Sequence, residues 1–310
     1  MDQSDLDELV ISSRVRRLAG AERPDRDPSL TQIRRGYHRP KDAQLTTDEA
    51  HRLRILATAA ARGPNLVFSH ASAAAVWGAP LLASDLGEVH AIQPGRPRRT
   101  TAGVRVHSTA LPKEQVATTA SGLLVTSREW TAIHLAATLE LPNSLLPLDH
   151  LVGAIVRDSG CEQAAVIDAL IGQIPPRFQG RNRAEANLRL VDVRSASAGE
   201  SLSRGQMVLI GVPAPDLQVR FTRDDGLGAD VVDFDWPALG TFGEFDGKGK
   251  YFREELRGSR TPEEVLWEEK VREDRVRRKR PRAARWGWDV ALSRRRLAAV
   301  LAAAGVRRQG

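Results

Sequence analysis

One stretch concentrates residues that could do chemistry: Asp233-Phe-Asp-Trp-Pro-Ala-Leu-Gly-Thr-Phe-Gly-Glu244-Phe-Asp-Gly-Lys248-Gly-Lys250. Val231, Asp233 and Asp235 alternate with Val232, Phe234 and Trp236, the period-two pattern of a strand with one polar and one apolar face. A turn over Pro237 to Gly240 leads to a second strand, on which Phe242, Glu244 and Asp246 share a face. Pairing the strands predicts one acidic cluster of Asp233, Asp235, Glu244 and Asp246. Crowded carboxylates repel, and a fold tolerates them where a cation or a lysine neutralises them. Lys248 and Lys250 follow at once. Hard divalent cations such as Mg²⁺ or Mn²⁺ take oxygen ligands of this kind, and a metal so held can activate water against a phosphodiester. The alternative is a solvated strand face with ordinary polar alternation. Phe234 and Trp236 on the opposite face argue that the hairpin packs on a core.

The elements expected around this hairpin extend the pattern. Ser197-Ala-Gly-Glu200-Ser-Leu-Ser-Arg204 lies in a helix, followed by Gly211-Val-Pro-Ala-Pro-Asp-Leu-Gln218-Val, the hairpin, and Glu268-Glu-Lys-Val-Arg-Glu-Asp274. From about Ser195 to Val290 the chain resembles the PD-(D/E)xK nuclease-like superfamily, specifically the Vsr-like (very-short-patch-repair-like) endonuclease domain. The resemblance implies a core helix carrying Glu200, a three-stranded meander, a basic helix and a returning strand near Ala283 to Trp288. It also implies Asp233 and Glu244 as metal carboxylates, with Glu200 as the helix acid that completes the site. The sequence departs from the E-x-K motif at Asp246, where lysine is usual; Lys248 or Lys250 is the candidate replacement.

Composition bounds the rest. The chain has 310 residues, 41% hydrophobic and 5% aromatic, room for two or three domains. No run of about 18 apolar residues predicts a membrane span, and the acidic start lacks the order of a signal peptide, so the expected compartment is the cytoplasm. A lone cysteine, Cys161, excludes an internal disulfide and a cysteine zinc cage. The charge is uneven: residues 270–310 carry 14 Lys/Arg against three Asp/Glu, within a chain of net +7. Arg272, Arg275 and Arg278 stand in the densest part. Such a run neutralises phosphates or else forms a solvated basic helix.

Upstream, residues 5–20 predict a helix, and Leu30 to Arg39 a short β-wing bent at Gly36 with Arg34 and Arg35 beside the bend. A helix over 47–61 opens at Thr47. Strands are expected at Asn65 to Ser69, Glu88 to Ile92, Gly103 to His107 and Gly122 to Thr126, and Ser127 caps the next helix. Ile33-Arg-Arg-Gly-Tyr37, the Ser69-His-Ala-Ser-Ala-Ala…Trp77-Gly stretch and Leu123-Leu-Val-Thr-Ser127 resemble AbiEi-type antitoxin-like proteins over about residues 30–160. That likeness implies a DNA-touching wing; an exposed structural hairpin is the alternative. His70, His90 and His107 could form a metal trio, but each is isolated and lacks a ligand spacing such as H-x-x-x-H, so the expectation is hydrogen-bonded structural histidines. Ser69 and Ser72 lack a G-x-S-x-G elbow and read as caps. There is no P-loop, dinucleotide fingerprint or zinc-finger pattern.

The expectation is an α+β protein: residues 1–42 a helix plus β-wing, 43–174 an AbiEi-like α+β domain, 175–183 a linker, and 184–310 a restriction-endonuclease-like domain with a mixed sheet flanked by helices. The expected function is binding of nucleic acid, DNA first, with metal-dependent phosphodiester cleavage. The alternative is a catalytically inactive DNA-binding regulator or antitoxin-like protein on the same fold, with a toxin-type protein partner or a second copy of the chain; a scaffold with no nucleic-acid role is a third reading.

Overall fold

The structure, a computed structural model, describes residues 3–19, 24–63, 65–93, 99–101, 103–223, 226, 228–247 and 261–309. They form an α+β protein. The chain divides into two compact units, Met1–Leu139 with His150–Arg189, and Glu140–Asp149 with Leu190–Gly310.

The first unit opens with α1 (Gln3–Glu8), β1 (Ile11–Ser12) and α2 (Ser13–Leu18). The single helix expected over 5–20 is therefore interrupted. Ile11 and Ser12 pair with His38 and Tyr37 of the following hairpin, so a tertiary ladder overrides the helical pattern there. That hairpin, β2 (Leu30–Arg34) and β3 (Tyr37–Pro40), turns at Gly36 with a φ of 84°. Only a residue without Cβ occupies such a position at no steric cost. In α3 (Thr47–Arg62), Thr46 rather than Thr47 is the cap, in a reciprocal capping box with Glu49.

A six-stranded sheet follows. Its strands β4 (Val67–Phe68), β5 (Val89–Ile92), β6 (Arg99–Thr101), β7 (Val104–His107), β8 (Val116–Thr118) and β9 (Leu124–Thr126) lie in the order β6-β7-β5-β4-β9-β8. β5 runs parallel to β7 and β4 parallel to β9. Between β4 and β5 lies α4 (His70–Val76). Leu53, Leu56, Phe68, Val89, Val104 and Val125 fill the core between α3 and this sheet. α5 (Arg128–Thr138), α6 (Leu145–Ser159), α7 (Gln163–Gln173) and α8 (Arg181–Arg189) come next. The residues expected as a linker, 175–183, belong to the first unit instead. Phe178 packs edge-on against Trp130, and a Cβ on Gly180 would meet the Ala137 carbonyl oxygen at 2.6 Å. On α8, Asn187 donates to the Ala136 carbonyl. Proline and polar composition marked a turn there, and the packing of α8 on α5 carries the unit on to Arg189.

The second unit contains α9 (Ala198–Ile210), β10 (Asp216–Thr222), β11 (Ala229–Trp236), β12 (Thr241–Phe245), α10 (Pro262–Lys279), β13 (Arg282–Trp286), α11 (Trp288–Ala291) and α12 (Arg294–Ala303). The sequence pattern from Ala184 predicts one long helical segment leading into Glu200; instead α8 stops at Arg189 and α9 begins afresh at its Ser197 cap. β10, β11 and β12 form an antiparallel meander, and β13 returns parallel to β12 after α10. Among the described residues no helix is long and apolar enough to cross a membrane.

Candidate functional site

The geometry of the second unit begins at the α9 N-terminus. Ser197 accepts from the Glu200 amide and donates to Glu200 Oε1 at 2.7 Å, while the Ala196 amide donates to Glu200 Oε2. This reciprocal cap fixes the Glu200 carboxylate, only 6% exposed, at the start of the helix. Its Oε2 also accepts from Gln218 Nε2 at 2.9 Å, and the same nitrogen donates to Asp233 Oδ1 at 3.2 Å. One amide group thus stands between two carboxylates. Gln218 has a φ of 52°, an uncommon conformation for a side-chain-bearing residue. Asp233 Oδ2 accepts from the Phe245 amide at 2.8 Å. Burial, then the neighbouring Glu200 charge, push the Asp233 carboxyl up to about 6.

The remaining acids of the hairpin do not join this pair. Asp235 is 1% exposed and takes two hydrogen bonds from Arg280, at 2.7 and 2.8 Å. Asp230 is likewise buried and meets Arg275 and Arg223. Asp230 and Asp235 stand an odd number of positions apart, yet both meet arginines from α10 or its immediate end, so β11 does not keep the strict alternation assumed for it. Glu244 is bound by Arg272 at 2.6 Å and by Arg285 at 2.7 Å. Burial outweighs these arginines and raises its carboxyl above the ordinary range. Asp246 lies exposed just beyond β12, its amide donating to the Trp286 carbonyl. The single acidic face expected from the sequence is therefore divided among separate partners. Lys248 and Lys250 lie outside the described residues.

The expected phosphate-binding arginines are also redistributed. Arg272 serves Glu244 and Glu269, and Arg275 serves Asp230. Arg34 turns onto α3, where its Nη1 donates to Thr58 Oγ1 at 2.6 Å, rather than outward from the wing. Arg35, Arg277, Arg278 and Lys279 are exposed, the last three in the final turn of α10.

The first unit holds a second constellation. Ligand-capable atoms of His70, His90 and His107 lie within 4.8 Å of one another, the three-residue group of this kind found among the described residues. His90 and His107 stand on the parallel neighbours β5 and β7, with ring nitrogens 3.1 Å apart. His70 begins α4 with a φ of 51°, bonds Ser69 Oγ through Nδ1, and stacks on His107 at 3.9 Å and on His134 at 4.3 Å. The His134 ring is 1% exposed, and neither of its nitrogens has a hydrogen-bond partner. Burial first, and neighbouring positive groups second, depress all three of His70, His90 and His134, His90 to about 4 and His134 to about 3. His51, likewise lowered to about 4 by burial, bonds Ser72. Spacing rules disfavoured the trio of His70, His90 and His107 because its members come from two strands and one helix. The one sequence signal was a histidine in each of two Val-containing strands, whose register is set only by the fold.

No family model matches the chain. It is 32% identical over 160 residues to two curated proteins of Mycobacterium tuberculosis, uncharacterized protein Rv2248 of strain H37Rv and uncharacterized protein MT2308 of strain CDC 1551. The match takes in 51% of this chain and 55% of each relative, so the chain spans about half the length of the curated relatives it matches. Among solved structures, the RV2827C protein of the same species aligns with a TM-score of 0.37 at 20% identity, over 66% of this chain and 78% of that one.

The Glu200–Asp233 pair is suited to holding a hard cation. Two oxygens already converge on one donor, and Mg²⁺ is commonly held by one or two carboxylates with water and phosphate oxygens completing its shell. Glu244, with each oxygen on an arginine, does not fit as a third ligand in this arrangement.

Proposed function

We propose that the protein binds nucleic acid and that its second unit cleaves phosphodiesters with a divalent cation held by Glu200 and Asp233. The observation that carries this reading is the Gln218 amide lodged between those two carboxylates, a positive dipole end where a cation would sit. The order of helix, three-stranded meander, helix and returning strand is the one implied by the Vsr-like resemblance, and supports it. Asp233, raised to about 6, is mostly ionised at neutral pH and can act as a ligand there. The capping bonds from Ser197 and Ala196 hold Glu200 in place, so little ordering is left for cation binding to impose. Bound there, Mg²⁺ or Mn²⁺ would supply charge neutralisation and water activation at the phosphodiester. The exposed Arg277, Arg278 and Lys279 would meet backbone phosphates.

A second reading, binding without cleavage, is favoured by one observation: Glu244 is tied to Arg272 and Arg285, and Asp246 stands where a lysine is usual. Incubating the full chain with plasmid DNA, single-stranded DNA and RNA, with Mn²⁺ or with chelator, separates the two. The proposal expects cation-dependent products that vanish in Asp233→Asn and in Glu200→Gln. Retention of DNA without cleavage of any of the three substrates selects the second reading, and salt-insensitive or absent binding removes both.

A further inference from the structure

The histidine group of the first unit has features that hydrogen bonding alone does not explain. Four imidazoles, those of His70, His90, His107 and His134, are packed in a chain of ring contacts between 3.9 and 5.6 Å. A buried polar group without a partner is costly, and native structures rarely keep one without a reason. Both His134 nitrogens are in that position. His70 adds backbone strain, since a positive φ is uncommon at a residue with a side chain and clusters at ligand sites. An apolar residue at position 134 would fill this space without the two unpartnered nitrogens.

The rings border a cavity of about 670 Å³, lined by His70, His107 and His134 and by the side chains of Arg105, Arg177 and Arg183. We propose that His70, His90 and His107 bind a divalent transition-metal ion of the zinc class, with an open coordination position facing this arginine-lined cavity and so suited to an anionic ligand. Zinc bound by imidazoles at 2.0–2.1 Å in tetrahedral geometry sets ligand nitrogens about 3.3 Å apart. The His90–His107 nitrogens already stand at 3.1 Å and the full group lies within 4.8 Å, so closure needs the His70 ring to move by up to about 1.5 Å and to turn out of its stack on His107. Imidazole ligands suit zinc, copper, nickel and iron and not magnesium or calcium. Three histidines with one free position is also the ligand set of catalytic rather than structural zinc. Ser69, bonded to His70 Nδ1, orients that ring as outer-shell partners do, leaving Nε2 as its ligand atom. His134, stacked flat on His70, is placed as a second buried base beside the cavity and not as a ligand of the group.

The test uses the full chain, stripped with chelator and titrated with Zn²⁺ and with Co²⁺. The expected result is saturation near one equivalent, with visible d–d absorption for Co²⁺ that Zn²⁺ abolishes. His90→Ala and His107→Ala should each weaken binding by at least about 100-fold, beyond the 10–100-fold that loss of an outer-shell partner costs. His150→Ala, which replaces an exposed histidine outside the group, should bind Zn²⁺ like the unaltered chain. Circular dichroism and metal-free melting of each variant establish that it folds. Should both variants fail to fold, the unaltered chain still decides the matter: Zn²⁺ should shift the NMR ring resonances of His70, His90 and His107 and leave those of His38 and His150 in place. Absence of saturable Zn²⁺ binding, unweakened binding in both folded variants, or resonance shifts confined to other histidines would each overturn the proposal.

Discussion

Replacing Asp233 by asparagine should change how stability depends on pH, with a sign opposite to that of most native carboxylates. Burial and the Glu200 charge raise the folded-state pKa from 3.8 to about 6. Between those values the folded chain binds more protons than the unfolded chain at this site, so stability falls as pH rises. The full contribution is present below about pH 4 and is lost as pH passes through 6. A difference of roughly two pH units at 1.36 kcal/mol each corresponds to about 3 kcal/mol. Asparagine keeps an oxygen for the Phe245 amide and carries no charge, so the Asp233→Asn variant should not show this loss. Urea unfolding of both chains in chelator, at steps from pH 4.5 to 8, gives the difference curve. Expected is a variant that gains on the unaltered chain by about 2 kcal/mol between pH 4.5 and 8, the rest of the difference having been lost already below pH 4.5. Saturating Mg²⁺ should reverse part of the gain, since it stabilises the ionised form. A flat difference curve, or one with the opposite slope, would show that Asp233 is neither desolvated nor crowded by Glu200.

Other consequences follow from the same geometry. Arg280→Met strands the 1%-exposed Asp235 carboxylate without its partner and should cost about 3–5 kcal/mol in chemical denaturation, most of it restored by adding Asp235→Asn. Gly199→Ala places a methyl group 2.0 Å from the Phe245 ring and should destabilise by about 1–3 kcal/mol, read as a lowered melting temperature. Replacing Arg277, Arg278 and Lys279 by glutamine should weaken binding to any DNA sequence alike. It should also flatten the slope of log affinity against log salt by about one for each phosphate no longer neutralised, measured by fluorescence anisotropy.

Much of the second unit was legible because its signals are local. Thr261-Pro-Glu-Glu264 announces a helix start, and α10 begins there with a capping box. The alternation around Asp233 and the Pro237–Gly240 turn announce a hairpin, and β11 and β12 form it. Local signals do not reveal which acid meets which arginine. Asp235 and Arg280 are 45 residues apart in sequence, as are Asp230 and Arg275, and only the return of α10 brings them together. The carboxylates that looked like one cluster were separated for that reason. The histidine trio could be named but not brought together for a related reason: β5 and β7 are joined through β6, so the parallel register that aligns Ile92 with His107 has no counterpart in linear spacing. The boundary at Leu190 was not legible because Pro175-Pro-Arg-Phe-Gln-Gly looks like a linker, while the features that tie it down, Phe178 against Trp130 and Gly180 against Ala137, depend on α5 being in place.

Calorimetric titration of Mn²⁺ with a bound, non-cleavable DNA oligonucleotide tests the central claim most directly, in the unaltered chain, Asp233→Asn and Glu244→Gln. If Glu200 and Asp233 form the cation site, the unaltered chain and Glu244→Gln bind Mn²⁺ saturably, while Asp233→Asn loses that event. Equal Mn²⁺ binding by Asp233→Asn, or loss confined to Glu244→Gln, contradicts the assignment of the site.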